Sequence, residues 1–97
     1  MYVILLKFTE KADQAEKFVQ SHIAWVKQGF DDDVFLLAGS ILPDTGGAII
    51  AQGASLPEIE KRVEGDPFVS EGIVNAEVIE IEPGMADKRL AFLLEEE

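Results

Sequence analysis

The chain has 97 residues and a formal net charge of -11, from 19 acidic and 8 basic residues, and 47% of its residues are hydrophobic. This length accommodates one domain with a single core, and the composition excludes a wholly disordered chain. The acidic balance argues against nucleic acid and anionic membrane surfaces as partners. The apolar start, MYVILLKF, is too short to span a membrane and lacks the basic leader of a secretory signal, so we expect a cytoplasmic protein.

The first half of the chain predicts a strand, a long helix and a hairpin. Residues 2–8 are large and apolar on both faces, which is typical of a central strand. From Thr9, a suitable N-cap, to Gly29, a natural stop, apolar residues recur at the three- and four-residue spacing of one helical face. Residues 34–38 and 48–51 are short apolar runs separated by Pro-Asp and Gly-Gly steps, which favour a reversal.

The second half predicts two helix starts, a strand and a tail. Ser55-Leu-Pro-Glu58 matches a capping box, Asp66-Pro67 resembles another helix start, and residues 76–82 alternate as a strand does. The resulting order, β-α-β-β-α-β, indicates an α+β ferredoxin-like fold, an antiparallel sheet with helices on one face. We expect this domain over residues 1–83 and a tail over residues 84–97, with an amphipathic helical segment before the final glutamates.

A sheet covered by helices on one side leaves its second face without a partner. The first two predicted strands nevertheless offer apolar side chains in both directions. A second copy of the chain, packed sheet against sheet, is the economical cover for so small a domain. The pattern therefore predicts a homodimer formed through the sheet face.

Two polar residues are candidates for chemistry. His22, the only histidine, lies on the helical face of Phe18 and Val26, which by itself favours a half-buried structural role. Asp66 precedes Pro67 and by itself is best explained as a helix N-cap. Capping does not exclude a catalytic role, since one carboxylate oxygen can cap while the other faces a histidine. Spacing along the chain does not bring His22 and Asp66 together.

Other kinds of site find little support. Ser21 and His22 are adjacent on a helix and point about 100° apart, so they cannot form a serine-base pair. The run Asp31-Asp32-Asp33 has no recognisable ligand spacing and is better explained as a solvated loop. Without cysteine there is no thiolate nucleophile or disulfide. No metal or cofactor is expected.

Several segments occur together in a specific combination: YVILLKF, HIAWVKQG, VFLLAG, GGAIIA and GDPFVSEGIV. On these segments the sequence resembles the YCII-related (YciI-like) family of the dimeric α/β-barrel superfamily, over about residues 1 to 82. The resemblance implies a ferredoxin-like subunit in which a histidine and an aspartate approach each other in a cleft, at positions matching His22 and Asp66. It also implies chemistry on small cyclic or aromatic-derived compounds, by dehydrochlorination or isomerase-like reactions.

These considerations give two hypotheses. The first is a lyase or isomerase for a small cyclic organic substrate, with His22 as general acid or base and Asp66 as its orienting partner. Trp25, Ser40 and Phe68 are the expected lining residues, and relatives often have proline where this chain has Ser40. The second is a non-catalytic dimeric module that binds a small ligand or a protein and uses the pair only to order the helix.

Overall fold

The computed structural model describes residues 1–95. Its strands are β1 (Tyr2–Phe8), β2 (Phe35–Ile41), β3 (Gly46–Ala51) and β4 (Val74–Glu80). Its α-helices are α1 (Val19–Asp31), α2 (Leu56–Glu64) and α3 (Pro67–Ser70), with 3-10 helices at Ala12–Lys17 and Lys88–Glu95. The predicted α+β class and β-α-β-β-α-β order are confirmed, with α3 as an extra turn before the last strand. None of the helices in this described range is long and apolar enough to cross a membrane.

The four strands form one antiparallel sheet in the order β2-β3-β1-β4. β1 lies between β3 and β4, as expected for a strand that is apolar on both faces. Its side chains alternate, so that Tyr2, Ile4 and Leu6 are buried beneath the helices while Val3 and Leu5 point the other way. The sheet therefore has one covered face and one face without helices.

The core lies between the covered face of the sheet and the three helices. Ile4 of β1, Ile59 of α2 and Ile73 before β4 are fully buried there, and Phe35 of β2 packs with them. Burial of each such side chain stabilises the fold by about 1.5–3 kcal/mol. This packing fixes α1 and α3 above the sheet, where the candidate site is found.

The predicted continuous helix from Thr9 to Gly29 is wrong at both ends. A 3-10 turn comes first, and the backbone of Phe18 (φ -120°) interrupts it before α1 begins. The Thr9 hydroxyl instead donates to the carbonyl of Gly72 at 2.7 Å. Gly29 lies inside α1, where a Cβ would overlap the ring of Phe35. This glycine therefore permits close packing and does not end the helix.

The two helix starts predicted in the second half are confirmed. The Glu58 amide donates to the Ser55 hydroxyl at 3.3 Å, and the Ser55 amide donates to the Glu58 carboxylate at 2.8 Å. This reciprocal pair is a capping box at the start of α2. Asp66 caps α3, with Pro67 in the first helical turn.

The sheet face without helices is apolar in its centre. Leu37, Ile50, Val3 and Ile79 lie in one row across all four strands. Leu37 is 63% exposed and Ile79 is 38% exposed. We term this surface the open face; it carries Val3, Leu5, Leu37, Ala48, Ile50 and Ile79.

The C-terminal tail lies beside the start of β1. The predicted amphipathic helix within it forms only as 3-10 turns over Lys88–Glu95, with non-helical backbone angles at Leu90. Leu93 is buried, and it borders a cleft together with Met1 and Tyr2. A segment this short is marginal as an α-helix without extensive packing, and Leu93 is its only buried side chain among the described residues. The predicted end of the tail, Glu96 and Glu97, lies outside the described residues.

Candidate active site

The fold brings the only histidine of the chain against Asp66, 44 residues further along. The His22 Nδ1 lies 2.8 Å from the Asp66 Oδ1. The Asp66 side chain is 0% exposed and that of His22 is 19% exposed. A carboxylate oxygen accepts, so the tautomer of His22 that matches this contact is the one with its hydrogen on Nδ1. Within residues 1–95 the His22 Nε2 makes no hydrogen bond, so it is the ring nitrogen available to another molecule.

Asp66 holds the histidine and the start of α3 with the same oxygen. Its Oδ1 also accepts from the Phe68 amide at 3.0 Å. Its Oδ2 is buried and has no hydrogen-bond partner in the described part of the chain. Both donors therefore converge on Oδ1, and the cap and the histidine contact do not use separate oxygens. Helix capping and histidine orientation are thus coupled through one atom.

Aromatic packing fixes the plane of the imidazole. The ring of His22 stacks on that of Phe68, with centroids 4.1 Å apart and an angle of 5° between the planes. The indole of Trp25 lies on the same helix, with its centroid 6.0 Å from the imidazole. A ring held by stacking and by a carboxylate hydrogen bond has few accessible rotamers. His22 is therefore pre-oriented.

His22 borders a cavity of about 190 Å³ between α1, α3 and the covered face of the sheet. We term it the His22 cavity, and its lining consists of Leu6, Phe8, His22, Gly39, Ser40, Gly46, Gly47, Phe68 and Val74. Apart from the imidazole and the Ser40 hydroxyl, the lining side chains are apolar or absent. Such a mixture of apolar walls and a few polar groups is typical of small-molecule sites.

Comparison with known proteins identifies the family. Residues 1–82 match the YCII-related domain. The chain belongs to the YCII-related family. This YCII-related chain also resembles the 5-chloro-2-hydroxyhydroquinone dehydrochlorinase TftG from Burkholderia phenoliruptrix AC1100, solved in complex with 2,5-dihydroxybenzoquinone. The two share a TM-score of 0.72 and 20% sequence identity over 86% of this chain and 94% of that enzyme. The likeness confirms the predicted ferredoxin-like fold. No match to this chain was found among curated proteins.

Three further side chains of the YCII-related chain were expected to line the site. Phe68 and Ser40 border the His22 cavity. Trp25 does not; its indole Nε1 donates to the carbonyl of Arg62 at 2.9 Å, and its ring borders a separate cleft beside α2. His22 and Trp25 therefore lie one turn apart on the same side of α1, with ring centroids 6.0 Å apart, but they border different clefts.

Sequence reasoning missed the part of the lining that comes from the sheet. Leu6 and Phe8 of β1, Gly47 of β3 and Val74 of β4 all border the His22 cavity. The alternation of β1 assigns Leu6 and Phe8 to one face. Which strands flank β1 depends on the sheet order, so Gly47 and Val74 had no local signal.

The arrangement in the YCII-related chain is suited to proton transfer. Nδ1 is occupied by Asp66, while Nε2 of an oriented imidazole remains free beside a largely apolar cavity. An imidazole in this position can pass a proton to or from a bound molecule. In the described range, His, Asp and Glu side chains form no group of three or more that could hold a metal ion.

An ion pair at the C-terminal end of α1 joins this helix to α2. The Arg62 guanidinium donates to the Asp32 carboxylate at 3.0 Å, and the Gln28 amide donates to the same carboxylate at 2.9 Å. The hydrogen bond from Gln28, followed by that from Arg62, lowers the pKa of Asp32 below its ordinary value. Because Arg62 also receives the Trp25 hydrogen bond, this contact helps to fix the end of α1.

Proposed function

We propose that this YCII-related protein is a small-molecule lyase or isomerase in which His22 transfers a proton and Asp66 positions it. The observation that carries the proposal is the 2.8 Å contact between His22 Nδ1 and the buried Asp66 Oδ1 at the edge of a cavity. The carboxylate fixes the tautomer, so Nε2 acts as the base. It also stabilises the imidazolium that forms when Nε2 takes up a proton.

The chemistry that fits this pair begins at a carbon next to a carbonyl. Nε2 removes the proton, and the electron pair of the C–H bond moves into the carbonyl to form an enolate. Return of the proton to another carbon completes an isomerisation. Expulsion of a leaving group from the neighbouring carbon completes an elimination. Both outcomes need a single group that cycles between base and acid, in a site that excludes most water.

The TftG enzyme of similar fold supports a cyclic substrate. It is a dehydrochlorinase, and the ligand in its structure is a dihydroxylated quinone ring. A reaction that removes HCl is an elimination of the kind described above. A small cyclic organic substrate is therefore our proposal for this chain as well.

Replacement of His22 tests the proposal. The wild-type protein and His22→Ala are screened with small cyclic enols, lactones and chlorinated phenols, with product formation followed by chromatography. We expect a wild-type reaction that falls by about 10²- to 10⁴-fold in His22→Ala, the range attributed to general acid-base catalysis. Thermal unfolding checks that the variant remains folded. Equal turnover by folded His22→Ala would contradict the proposal.

A non-catalytic binding module is the second candidate, because the same contacts also tie helices together. Asp66 Oδ1 joins α1 to the first turn of α3. The His22–Asp66 contact would therefore stabilise the fold even in a protein without catalytic activity. The proton NMR signals of the single imidazole distinguish the two. If they respond to an added substrate, His22 meets the ligand; if they are insensitive to every compound that binds, the role is structural.

We also propose that the protein is a homodimer through the open face. Its row of aliphatic side chains runs across all four strands, with Leu37 63% and Ile79 38% exposed, and a contiguous apolar strip of this kind is typical of an interaction surface. Packing against a second copy would bury the row symmetrically.

A further inference from the structure

We infer that the C-terminal tail is part of the surface that binds a second copy of this chain, with Leu94 and Phe92 packed against the partner subunit. The inference rests on the proposed homodimer. It goes further by assigning a role to a segment outside the range that matches the YCII-related domain, which ends at residue 82.

The open side of the sheet is smaller than a stable interface requires. The sheet has four strands of six or seven residues. With strands about 4.8 Å apart and a rise of about 3.3 Å per residue, such a sheet has a flat area of about 450 Å² on each side. A specific protein–protein interface buries about 800 Å² on each partner. A dimer formed through the open face therefore needs further surface next to it.

Polar residues occupy the end of this side of the sheet that lies far from the tail. Strand pairing places Asn75 opposite Lys7, and Glu77 opposite Leu5. These residues follow Val3 along β1, on the same side of the sheet, because side chains alternate along a strand. The additional surface is therefore not expected at this end, where a partner would have to bury charged groups.

At the opposite end, apolar side chains continue from the open face to the tail. The Met1 amine donates to the Ile81 carbonyl at 2.9 Å, and the Ile81 amide donates to the Met1 carbonyl at 2.8 Å. This pair extends the pairing of β1 with β4, so Met1 and Ile81 lie on the same side of the sheet as Val3 and Ile79. Both border a cleft together with Leu94. The apolar surface therefore runs from the open face to Leu94.

The tail exposes more large apolar side chains than it buries. Leu93 is 7% exposed, whereas Leu90, Phe92 and Leu94 are between 41% and 47% exposed, and Ile81 beside them is 39% exposed. Single exposed apolar side chains are normal, but a group of them next to a second apolar surface marks an interaction site. The segment forms only 3-10 turns, and so short a helical segment depends on packing for its stability. A partner on this side would supply that packing.

A second copy of the chain fits this surface better than a partner of another kind. In a twofold dimer the same patch is used by both subunits, so the apolar strip of one meets the apolar strip of the other. The sheet and tail of each subunit together supply the area that the open face lacks. Nucleic acid and anionic membranes are unsuitable partners for a chain with a net charge of -11.

Substitution of Leu94 tests this inference. Leu94→Glu places a charge in the contact from each subunit, so we expect the dissociation constant of the dimer to rise by about tenfold or more. Light scattering over a dilution series measures it. Ile23→Glu is the matched control, because Ile23 is 40% exposed against 44% for Leu94 and lies on α1, at the helical side of the sheet. An unchanged dissociation constant in Leu94→Glu, or an equal rise in Ile23→Glu, overturns the inference.

A spin label on the tail provides the second test, which stands even if Leu94→Glu fails to fold. The chain has no cysteine, so Leu94→Cys offers a single attachment point for a nitroxide. Labelled subunits are mixed with ¹⁵N-labelled wild-type subunits, in which only a contact between subunits can broaden an amide NMR signal. We expect broadening at Val3 and Ile79, and none from a nitroxide attached through Ile23→Cys. Sharp signals at Val3 and Ile79 with the label at position 94 overturn the inference.

These experiments separate the inference from the proposed homodimer. A wild-type monomer overturns both. A dimer that Leu37→Glu dissociates and Leu94→Glu leaves intact keeps the open face as the interface and removes the tail from it.

Discussion

The buried carboxylate of Asp66 joins the start of α3 to the imidazole of His22. Its Oδ1 accepts from the Phe68 amide and from His22 Nδ1, so the residue caps α3 and orients the imidazole together. An aspartate that only capped a helix would not need to be fully buried. Its neighbour Pro67 makes the capping role visible in the sequence, whereas the contact with His22 is long-range.

Substitutions at Asp66 should separate the two roles. Asp66→Asn keeps an oxygen that can cap α3, while Asp66→Ala removes the cap and leaves the His22 Nδ1–H without its acceptor. We expect Asp66→Ala to lower the free energy of unfolding by about 1–3 kcal/mol, and Asp66→Asn to lower it less. Urea unfolding measures both. Equal stability of wild type and Asp66→Ala would show that the buried bond contributes nothing.

The ion pair at Asp32 predicts a dependence of stability on pH. Hydrogen bonds from Gln28 and Arg62 lower the pKa of the carboxyl in the folded protein. The folded state therefore binds this proton less readily than the unfolded state, and the contact stabilises the fold above the ordinary aspartate pKa. That contribution is lost as the pH falls through the lowered pKa. The effect is small, because the pair is partly exposed.

Thermal unfolding of Asp32→Asn checks this sign. We expect a slightly lower Tm than wild type at neutral pH and no difference in strong acid, where the carboxylate is protonated in both states. Asp31→Asn removes a neighbouring exposed carboxylate and serves as the control. A difference that grows toward acid pH would refute the assignment.

At the scale of elements, α1 and β2 meet so closely that a glycine is required. Gly29 faces the ring of Phe35, which is itself enclosed by Trp25 and Phe30. Alanine in a helix is ordinarily more favourable than glycine by about 1 kcal/mol. Here the added methyl group has no space, and overpacking costs typically about 1–3 kcal/mol. The cost of overpacking against Phe35 should therefore exceed the gain in helix propensity.

Gly29→Ala should therefore destabilise the protein although it raises helix propensity. We expect a lower midpoint of urea unfolding, with a smaller change in Lys27→Ala, which alters an exposed position on the same helix. A more stable Gly29→Ala would mean that Phe35 moves aside without cost.

At the scale of the whole molecule, the open face predicts the state of association. Leu37 lies in its central apolar row and is 63% exposed. A glutamate there would bring like charges together in a symmetric dimer. Leu42, 84% exposed in the turn between β2 and β3, is the matched position off this face.

Size-exclusion chromatography with light scattering measures the molecular mass of the wild type, Leu37→Glu and Leu42→Glu in solution. We expect a wild-type dimer, a monomer for Leu37→Glu and a dimer for Leu42→Glu. A wild-type monomer, or dissociation by Leu42→Glu alone, would exclude dimerisation through the open face.

Features that depend on neighbouring residues could be predicted from the amino-acid sequence. The capping box at Ser55, the cap at Asp66 and the strand character of β1 follow from groups only a few residues apart, where propensity and hydrogen bonding act directly. The break at Phe18 and the packing of Gly29 are set by contacts with distant elements, so local periodicity could not reveal them. Tertiary context overrides propensity at such positions.

The site itself was decided by tertiary structure. The family resemblance paired His22 with Asp66, but their 2.8 Å contact exists because α1 and α3 pack on the same face of one sheet. That sheet also places Gly47 opposite Leu6, which opens the space beside His22. Residues so far apart in sequence meet only once the strands have paired and the helices have packed on the sheet. Closing the intervening chain costs conformational entropy, and burial of the whole core offsets that cost.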